Sequence, residues 1–319
     1  METVLGLVGG IVLFLYAISK LSGHIREWAD ERMKAFVARF TRNILTAIIT
    51  GIVVTVLLKS SSAAIIITIV LVGEGVVTFR QSLGIVLGAN IGTTIASQIM
   101  ALDVAEYAPV ALAAGFALFI LFERPLIHRV GTVIFYFGMI FFGLLTMENA
   151  VEPLKSHDYF KELIASFENP ISGALAGAGI SAVIQSSSAT VALAITLAKQ
   201  SLITLPAAIA VMIGAELGTC ADTLLATARS NRQAVKTGLF HFSFNLLSIV
   251  IGLALFVPFV SLVEYLAAGS QVKQQIAHAH LIFNLLGVAA IAGFLPWIER
   301  ALNRLLPDTD SSPFDAQPA

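Results

Sequence analysis

Charged residues are scarce in this sequence: they make up 12% of its 319 residues, whereas hydrophobic residues make up 57%. A soluble globular protein carries roughly 25% charged residues, about twice as many. The mean hydropathy of +0.88 points in the same direction. Because a soluble domain of this length cannot bury so much apolar surface, we expect an all-α integral membrane protein that crosses the cell membrane several times.

Cysteine and an excess of positive charge are missing as well. The single cysteine, Cys220, excludes an internal disulfide, and no Cys/His spacing typical of a metal site is present. The net charge of −1 gives no reason to expect nucleic acid as a partner. We therefore expect neither an organic cofactor nor a nucleic-acid partner, and a lipid bilayer as the surroundings.

The two ends of the chain differ in character. The first apolar run, Val4–Ile18, follows Glu2 rather than a basic stretch and lacks an A-x-A-like cleavage site. It therefore predicts a retained span rather than a signal peptide. Residues 306–319, PDTDSSPFDAQPA and the leucine before it, predict a disordered tail.

The sequence repeats itself at a distance of 126 residues. Gly51–Met100 aligns without a gap on Gly177–Ala226, with twelve identities in fifty positions. The identities cluster in two motifs, SSSA and GA-x-x-GT, at Ser60–Ala63 with Ser186–Ala189 and at Gly88–Thr93 with Gly214–Thr219. Two copies of one unit therefore build the protein. We place the first repeat at residues 1–148, a connecting segment at 149–168 and the second repeat at 169–305.

Charges beside the two copies indicate that the copies have opposite orientations. Residues 20–42 carry six basic residues, whereas their counterpart 146–168 carries two. Residues 103–110 carry none, whereas their counterpart 229–236 carries three. Because positive residues collect on the cytoplasmic side, matched segments face opposite sides. This pattern predicts inverted-topology repeats with a pseudo-two-fold axis in the membrane plane.

Short apolar segments predict a re-entrant helical hairpin in each repeat. Residues 43–58 and 60–73 each hold only about 15 residues, fewer than the roughly 20 that a spanning helix needs. They therefore suit a hairpin with serines at its tip, and residues 169–199 form its counterpart. We further expect a discontinuous spanning helix in each repeat and a cytoplasmic-surface amphipathic helix over 20–42. Spans are predicted at 81–101, 107–122, 127–147, 205–228, 236–257 and 276–295.

The two serine triplets are the first candidate site. Successive side chains of a helix turn by about 100°, so three adjacent serines cannot share one face. Some of them must lie on broken backbone, which is tolerated at membrane depth where it lines a cavity. Hydroxyls and free carbonyls suit Na⁺, and helix N-termini suit an anion. The alternative, close approach of helices at small residues, explains the glycines better than a matched triple serine.

The stretches KSSSA…GANIGTT and QSSSAT…GAELGTC resemble the type II sodium–phosphate cotransporter family, which carries a QSSS motif in each of two inverted repeats. The family's H-x-x-F-N element appears at His241–Asn245 and His280–Asn284. The resemblance covers residues 43–295. It implies inorganic phosphate as substrate, Na⁺ as coupling ion and hairpin tips that hold both near the midplane. Some bacterial relatives append a PhoU-like domain, which we expect this chain to lack.

The resemblance implies that Ser60–Ser62, Gln185–Ser188, Asn90, Thr93 and Thr94 form the site, and the residues themselves add further candidates. The substrate-binding candidates are the two hairpin tips: Lys59, Ser60, Ser61, Ser62, Gln185, Ser186, Ser187 and Ser188. The candidates for cation binding or coupling follow each tip: Asn90, Thr93, Thr94, Glu216, Thr219 and Asp222. The supporting candidates are His241, Asn245, His280 and Asn284, which we expect to tie the hairpins to the bundle by hydrogen bonds. Proton coupling and ligand contact are the alternatives for these four residues.

Two residues depart from the family pattern. Lys59 stands where the pattern has glutamine, and Glu216 stands where it has asparagine. A charge in the middle of a spanning helix costs about 2.5–3.5 kcal/mol on insertion scales, so we expect the two charges to interact, with Asp222 as a competing partner of Lys59. Lys59 then replaces one coupling cation, balanced by Glu216. Alternatively Lys59 is the counter-charge of phosphate, or it extends harmlessly to an interface.

Other classes of function were weighed against a carrier. An enzyme with a Ser60–Lys59 dyad is disfavoured because the second copy has Gln185 in place of the base. A channel is disfavoured because a doubled inverted unit is typical of alternating access. The direction of transport, the choice between Na⁺ and proton coupling and the choice between phosphate and another oxyanion stay open. So does the oligomeric state, a homodimer being one option.

Overall fold

The computed structural model describes residues 2–41, 43–102, 104–122, 124–153, 164–228 and 230–307. Half of the expected connecting segment and nearly all of the expected tail lie outside these ranges. The described chain forms fourteen α-helices and no strand: α1 (Glu2–Phe40), α2 (Ile44–Leu58), α3 (Ser61–Gly73), α4 (Phe79–Met100), α5 (Ala108–Leu121), α6 (Pro125–Val151), α7 (Pro170–Ile184), α8 (Ser187–Lys199), α9 (Leu205–Gly218), α10 (Cys220–Thr227), α11 (Arg232–Ala254), α12 (Phe256–Leu266), α13 (Val272–Ala292) and α14 (Leu295–Leu305).

Six of the described helical segments are long and apolar enough to cross a membrane. They are Val4–Leu21, Phe79–Met100, Pro125–Val151, Leu205–Thr227, Arg232–Ala254 and Val272–Ala292. Each contains at least 18 residues and has a mean hydropathy of 1.4 or more. Large apolar side chains also cover the outside, which suits a lipid surface better than water. The prediction of an all-α, multi-pass membrane protein is confirmed.

The first helix is longer than expected. The predicted first span and the predicted surface helix at 20–42 form one continuous helix, Glu2–Phe40. No proline lies between its ends, so no backbone donor is missing and nothing forces a break between the apolar and the charged part. The side chains of residues 25–39, which would show an amphipathic face, lie outside the described set.

Each copy begins with two short helices that are joined by a tight turn. In the first copy α2 has 15 residues and α3 has 13, and in the second copy α7 and α8 have the same two lengths. The N-caps are repeated as well, at positions exactly one repeat length apart. They are Asn43 and Asn169, Ser60 and Ser186, and Thr78 and Thr204, whose side chains accept hydrogen bonds from first-turn N–H groups.

Glycines bring the first helix of each hairpin into backbone contact with the long helix that follows. In the first copy α2 packs along α4, and a Cβ at Gly88 would collide with the carbonyl oxygen of Ile48. In the second copy α7 packs along α9, and a Cβ at Gly214 would collide with the carbonyl oxygen of Ala174. Gly88 and Gly214 are one repeat length apart, so the same helix crossing is built twice.

The expectation of a discontinuous spanning helix in each repeat is wrong for the first copy. Helix α4 runs without a break through Thr93, whose hydroxyl donates to the carbonyl of Ala89 four residues earlier. At the equivalent position of the second copy, α9 ends at Gly218 and α10 begins at Cys220. There the Thr219 hydroxyl donates three residues back, to the carbonyl of Glu216, so the helix is tightened at that point.

Helices α11 and α13 lie between the two copies. Both pack against α4 and against α9, so they join the two long helices. Helices α12 and α14 were not predicted. Helix α14 places Ile298 and Leu302 against the apolar core around the first hairpin, and its opposite side is polar. A one-sided helix of 11 residues is too short and too charged to stand out as a span, which explains why it was missed.

Candidate functional site

Both hairpin tips line a single cavity of about 420 Å³. All six serines of the triplets Ser60–Ser62 and Ser186–Ser188 contribute to its wall, together with Lys59, Gln185 and Thr219. Helix α1 closes one side with Leu15, Ile18 and Ser19. The eight substrate-binding candidates of the sequence are therefore brought together in space, although they come from segments 126 residues apart.

The turn at each tip has the same unusual backbone geometry. Lys59 and Gln185 adopt the left-handed conformation, with φ of 53° and 57°. Ser60 and Ser186 then follow in extended conformation and cap the second helix of the hairpin. A left-handed residue other than glycine costs roughly 1–2 kcal/mol, so both tips hold a long polar side chain where glycine would be less strained. Strain of this kind collects at functional sites and supports a functional role for the tips.

The cavity has the electrostatics of an anion site. Helices α3 and α8 begin at the tips, and their N-termini carry partial positive charge. The hydroxyls of Ser60 and Ser186 accept hydrogen bonds from the N–H groups of Ala63 and Ala189, so the two caps are already used. The next two serines of each triplet lie in the first helical turn, where backbone N–H groups have no intrahelical partner.

Lys59 is the one charged side chain among those that line the cavity. Within the described part of the chain it makes no ion pair, and it also lines a small adjoining pocket next to Ser60 and Thr93. The Gln185 amide, at the equivalent position, donates a hydrogen bond back to the Ala182 carbonyl of its own helix. Among the described residues, the ammonium group in this cavity has no carboxylate partner.

Each tip rests against the long helix of the other copy. The Ser62 hydroxyl lies close to the Asp222 carboxylate on α10. Ser188 lies beside Thr93 of α4 in the small adjoining pocket. No ion pair between Asp222 and Lys59 is present among the described residues.

The expected interaction between Lys59 and Glu216 is wrong. Glu216 does not line the cavity, and its Oε1 lies 2.8 Å from His280 Nε2 on α13. The His280 Nδ1 lies 2.6 Å from the Ser97 hydroxyl oxygen on α4. The reason is that α13 packs directly on α9 and offers an imidazole at the depth of Glu216, whereas Lys59 points into the cavity.

Of the other cation-site candidates, two line the cavity or its adjoining pocket and two do not. Thr219 lines the main cavity and Thr93 lines the small pocket beside it. Asn90 and Thr94 line neither of these two. The Asn90 amide donates to the Val86 carbonyl at 2.9 Å, and the Thr94 hydroxyl donates to the Ile91 carbonyl at 2.7 Å. Both side chains are thus used within α4 itself.

The four supporting candidates make no hydrogen bond to the hairpin helices within the described part of the chain. His241 Nδ1 lies 2.9 Å from the Thr223 hydroxyl oxygen, and the Asn245 amide donates to the Cys220 sulfur at 3.2 Å. His280 reaches Ser97 and Glu216, as described above. The Asn284 amide donates to the His280 carbonyl. The expectation that these residues tie the hairpins to the bundle is therefore corrected: His241 and Asn245 join α11 to α10, and His280 joins α13 to α4 and α9.

Sequence reasoning missed two hydroxyl residues at matching positions. Ser97 and Thr223 are one repeat length apart, and each meets the Nδ1 atom of a histidine. They differ in identity, so a search for identical residues passes over them. A search for equivalent hydroxyls at a spacing of 126 would have found the pair. Ser19 of α1 was also missed, because nothing in an isolated apolar helix indicates which side faces a cavity.

The fold and the site together define a multi-pass helical membrane protein with a polar cavity between two serine-tipped hairpins, the architecture of a transporter. The sequence model of the Na⁺/Pi-cotransporter family matches the chain twice, over residues 13–149 and 142–291. The chain belongs to this family. The resemblance noted from the motifs is thereby confirmed, and the double match agrees with two copies of one unit.

Individual relatives extend the comparison. YqeW of Bacillus subtilis, a protein of uncharacterised function, is 28% identical over 302 residues, which cover 93% of this chain and 96% of the relative. YjbB of Salmonella typhimurium, whose name proposes inorganic phosphate export, is 26% identical over 97% of this chain, which spans 56% of that protein. The human sodium-dependent phosphate transport protein 2B is 42% identical over 60 residues, or 19% of this chain and 9% of the relative. No solved structure matches the chain at a significant level.

Proposed function

We propose that this protein is a secondary active transporter that carries inorganic phosphate, coupled to the movement of cations. Phosphate is held between the two hairpin tips, and the two repeats expose this site alternately to the two sides of the membrane. The observation that carries the proposal is the shared cavity, in which both serine triplets and the unpaired Lys59 ammonium meet.

Phosphate fits this cavity by charge and by hydrogen bonding. Six hydroxyls, two helix N-termini and one ammonium group surround about 420 Å³, while no acidic side chain lines the described wall. Phosphate is an acceptor-rich anion, and helix N-termini bind such anions readily. Lys59 thus acts as the counter-charge of the substrate, which is one of the roles considered from the sequence. The Na⁺/Pi-cotransporter family supports phosphate over other oxyanions.

Sodium is the proposed coupling ion. The name of the human relative assigns sodium dependence to that protein, and the hydroxyls of Thr93 and Thr219 lie beside the tips in this one. Hydroxyl and carbonyl oxygens at unwound helix ends suit Na⁺ in transporters. Cation binding stabilises the loaded state relative to the half-loaded states, and this difference in stability provides the coupling.

Counterflow of labelled phosphate in proteoliposomes tests the proposal. Unlabelled phosphate on the inside should accelerate the entry of labelled phosphate, since a carrier returns loaded, whereas a channel shows no such stimulation. Sulfate added in place of the internal phosphate should stimulate entry much less. An absence of counterflow, or equal stimulation by sulfate, contradicts a phosphate carrier.

Lys59→Gln tests the counter-charge. The substitution reproduces the residue of the second tip and removes the ammonium, and a hydrogen bond to a charged group contributes about 1.5–3 kcal/mol. We therefore expect the affinity for phosphate to fall about 10- to 100-fold. Lys199→Gln is the matched control, because Lys199 is paired with Glu148 and lies outside the cavity. An equal effect of both substitutions would mean that Lys59 acts through the overall charge only.

Export is the second candidate for the direction of transport. It is favoured by the name of YjbB, which is similar to this chain over nearly its whole length. Cells that lack other phosphate exporters and are loaded with labelled phosphate should lose it faster when they produce this protein. Faster net uptake at physiological sodium, with no effect on loss, would favour import instead.

A further inference from the structure

A buried chain of three side chains connects the two copies at some distance from the hairpin tips. Ser97 lies on α4 of the first copy, Glu216 lies on α9 of the second copy, and His280 on α13 stands between them. The hydrogen bonds are 2.6 Å from Ser97 Oγ to His280 Nδ1 and 2.8 Å from His280 Nε2 to Glu216 Oε1. Ser97 and His280 are completely buried, and Glu216 is 3% exposed.

The charges of Glu216 and His280 have to balance, because both side chains are buried. A carboxylate in a dry interior is expensive unless an opposite charge accompanies it. Among the described residues the ion-pair partner of Glu216 is His280, and no lysine or arginine reaches the carboxylate. A neutral imidazole beside a carboxylate would leave one uncompensated negative charge. One added proton between Oε1 and Nε2 would make the packed pair neutral.

The neighbouring ionisable groups do not supply that charge. Cys220 bonds to the backbone instead of the carboxylate of Glu216, since its sulfur lies 3.5 Å from the Glu216 carbonyl oxygen, and it lies 3.9 Å from His241 Nε2. His278 on α13 faces the Gln98 amide. The remaining ionisable side chains on helices that pack against α9 and α13 do not hydrogen-bond to the pair: Arg80 on α4, Lys199 on α8, Asp222 on α10, Arg232 and Lys236 on α11, Glu264 on α12 and Lys273 on α13.

The two copies differ at this point. Asn90, the counterpart of Glu216, is neutral and donates to its own helix. The first copy therefore needs no proton there. The second copy also has its helix break three residues after Glu216, at Thr219, which lines the main cavity. Three residues correspond to about 4.5 Å along the helix axis, so the pair lies one turn from water in the cavity.

We propose that Glu216 and His280 form a proton-binding site, and that its proton is a coupling ion for phosphate transport. The inference rests on the proposed function and adds an ion to it. When the loaded carrier opens at Thr219, the proton leaves the position between Oε1 and Nε2 for a water molecule of the cavity. A carboxylate and a neutral imidazole stay behind, and the return of a proton from water restores the neutral pair before the next cycle.

Proteoliposomes with an imposed pH gradient test this site. A gradient of one pH unit supports about a tenfold accumulation of phosphate for each proton that moves with it. With equal Na⁺ concentrations on both sides we expect wild-type protein to accumulate phosphate, and a protonophore to abolish the accumulation at unchanged external pH. The unchanged external pH keeps the ionisation of phosphate itself constant. Counterflow that is retained, without any effect of the protonophore, overturns the proton site while the phosphate carrier stands.

Two matched variants locate the effect. Glu216→Gln keeps the shape and removes the charge, and we expect accumulation by the pH gradient to fall at least about tenfold, while Glu216→Asp restores part of it. His241→Gln is the control, because its histidine bonds to Thr223 and Cys220 and to no carboxylate. Undiminished accumulation by Glu216→Gln, or an equal loss in His241→Gln, contradicts the assignment.

A direct measurement covers the case in which Glu216→Gln does not fold. Infrared difference spectra of wild-type protein in lipid, recorded between acidic and alkaline pH, report the gain and loss of protons at buried carboxyl groups. We expect a carboxyl signal that Glu216→Asp shifts in frequency and His241→Gln leaves in place. A wild-type spectrum without any buried carboxyl change across the pH range of transport overturns the proposal.

Discussion

The two hairpin tips share a backbone and differ in how they treat charge. Both tips have a left-handed residue, an extended serine cap and a helix of 13 residues. Yet the first tip directs the Lys59 ammonium into the cavity, and the second tip folds the Gln185 amide back onto its own helix. The comparison shows that packing and capping preserve the geometry of the duplicated unit, while single exchanges make its halves chemically unequal.

The long helices α4 and α9 also differ in charge at equivalent positions, and there the side chains are buried in the protein. The Asn90 amide donates a hydrogen bond to the backbone of its own helix, α4. The Glu216 carboxylate of α9 is instead paired with His280 of a third helix, α13. A charge at the cavity can be met by substrate and water, but a charge in the core must be met by protein. The Lys59 ammonium of the first copy lies in the cavity, where a ligand can neutralise it. The Glu216 carboxylate of the second copy lies in the core, where its partner among the described residues is His280.

The largest expected effect separates the two histidines. His280→Leu leaves the Glu216 carboxylate without a partner, and loss of one member of a buried ion pair costs about 3–5 kcal/mol. His241→Leu removes the hydrogen bonds to Thr223 and Cys220, which cost about 1 kcal/mol each. Reversible unfolding in mild detergent measures both. The double variant His280→Leu with Glu216→Leu should regain most of the loss, and a failure to regain it contradicts the pairing.

The helix crossings should respond equally in the two copies. Gly88→Ala and Gly214→Ala each place a Cβ against a backbone carbonyl, and overpacking of this kind costs about 1–3 kcal/mol. Gly179→Ala is the control, because a Cβ there meets no atom within 4 Å. The free energy of unfolding measures the three variants. A large difference between Gly88 and Gly214 would show that the repeated crossing is not equally tight.

Exchanging the two side chains, Lys59→Gln together with Gln185→Lys, tests whether the position of the ammonium matters for phosphate affinity. Lys59→Gln lowers phosphate affinity as described above, by about 1.5–3 kcal/mol of binding free energy. Adding Gln185→Lys returns one ammonium to the cavity from the other side, and we expect it to restore at least part of that loss. Direct binding of labelled phosphate to purified protein is the measurement. No recovery in the exchanged protein means that the position of the charge, and not only its presence, matters.

The smallest effect concerns the repeated caps. Thr78→Ala and Thr204→Ala each remove the side-chain acceptor that caps a long helix, at a cost of about 1 kcal/mol. Thr146→Ala serves as the control, since its hydroxyl bonds only within its own helix, to the Phe142 carbonyl. Unfolding in detergent should show two equal losses and a nearly unchanged control. Unequal losses would indicate that one cap is replaced by another contact.

Much of the fold could be predicted because local rules decide it. Short apolar helices, capping residues and the repeat of 126 residues are all visible in the sequence and all produce the expected elements. The continuous helix Glu2–Phe40 and the uninterrupted α4 could not be predicted in this way. Whether a charged or polar stretch breaks a helix depends on what packs beside it, and that partner is distant in sequence.

The site was predicted only in part, because the partners of its side chains are distant in sequence. Identical serine triplets in two copies predict two equivalent tips, and in the structure both tips line one cavity. The partner of Glu216 could not be chosen from the sequence, where Lys59 was the expected partner and His280 had only a supporting role. Asn90 and Thr94 matched a family motif, yet their side chains turn back onto α4. A motif identifies a residue, but the rotamer that it adopts depends on its neighbours.

The sequence alone determined that this chain lies in a membrane, that it is built twice and that its two tips carry serines. These properties follow from composition and from spacing along the chain, which need no knowledge of contacts. Only the tertiary structure decided that Lys59 faces an open cavity while Glu216 is buried against His280. The cost of a buried charge depends on distances of a few ångströms between helices, and no pattern along the chain records those distances.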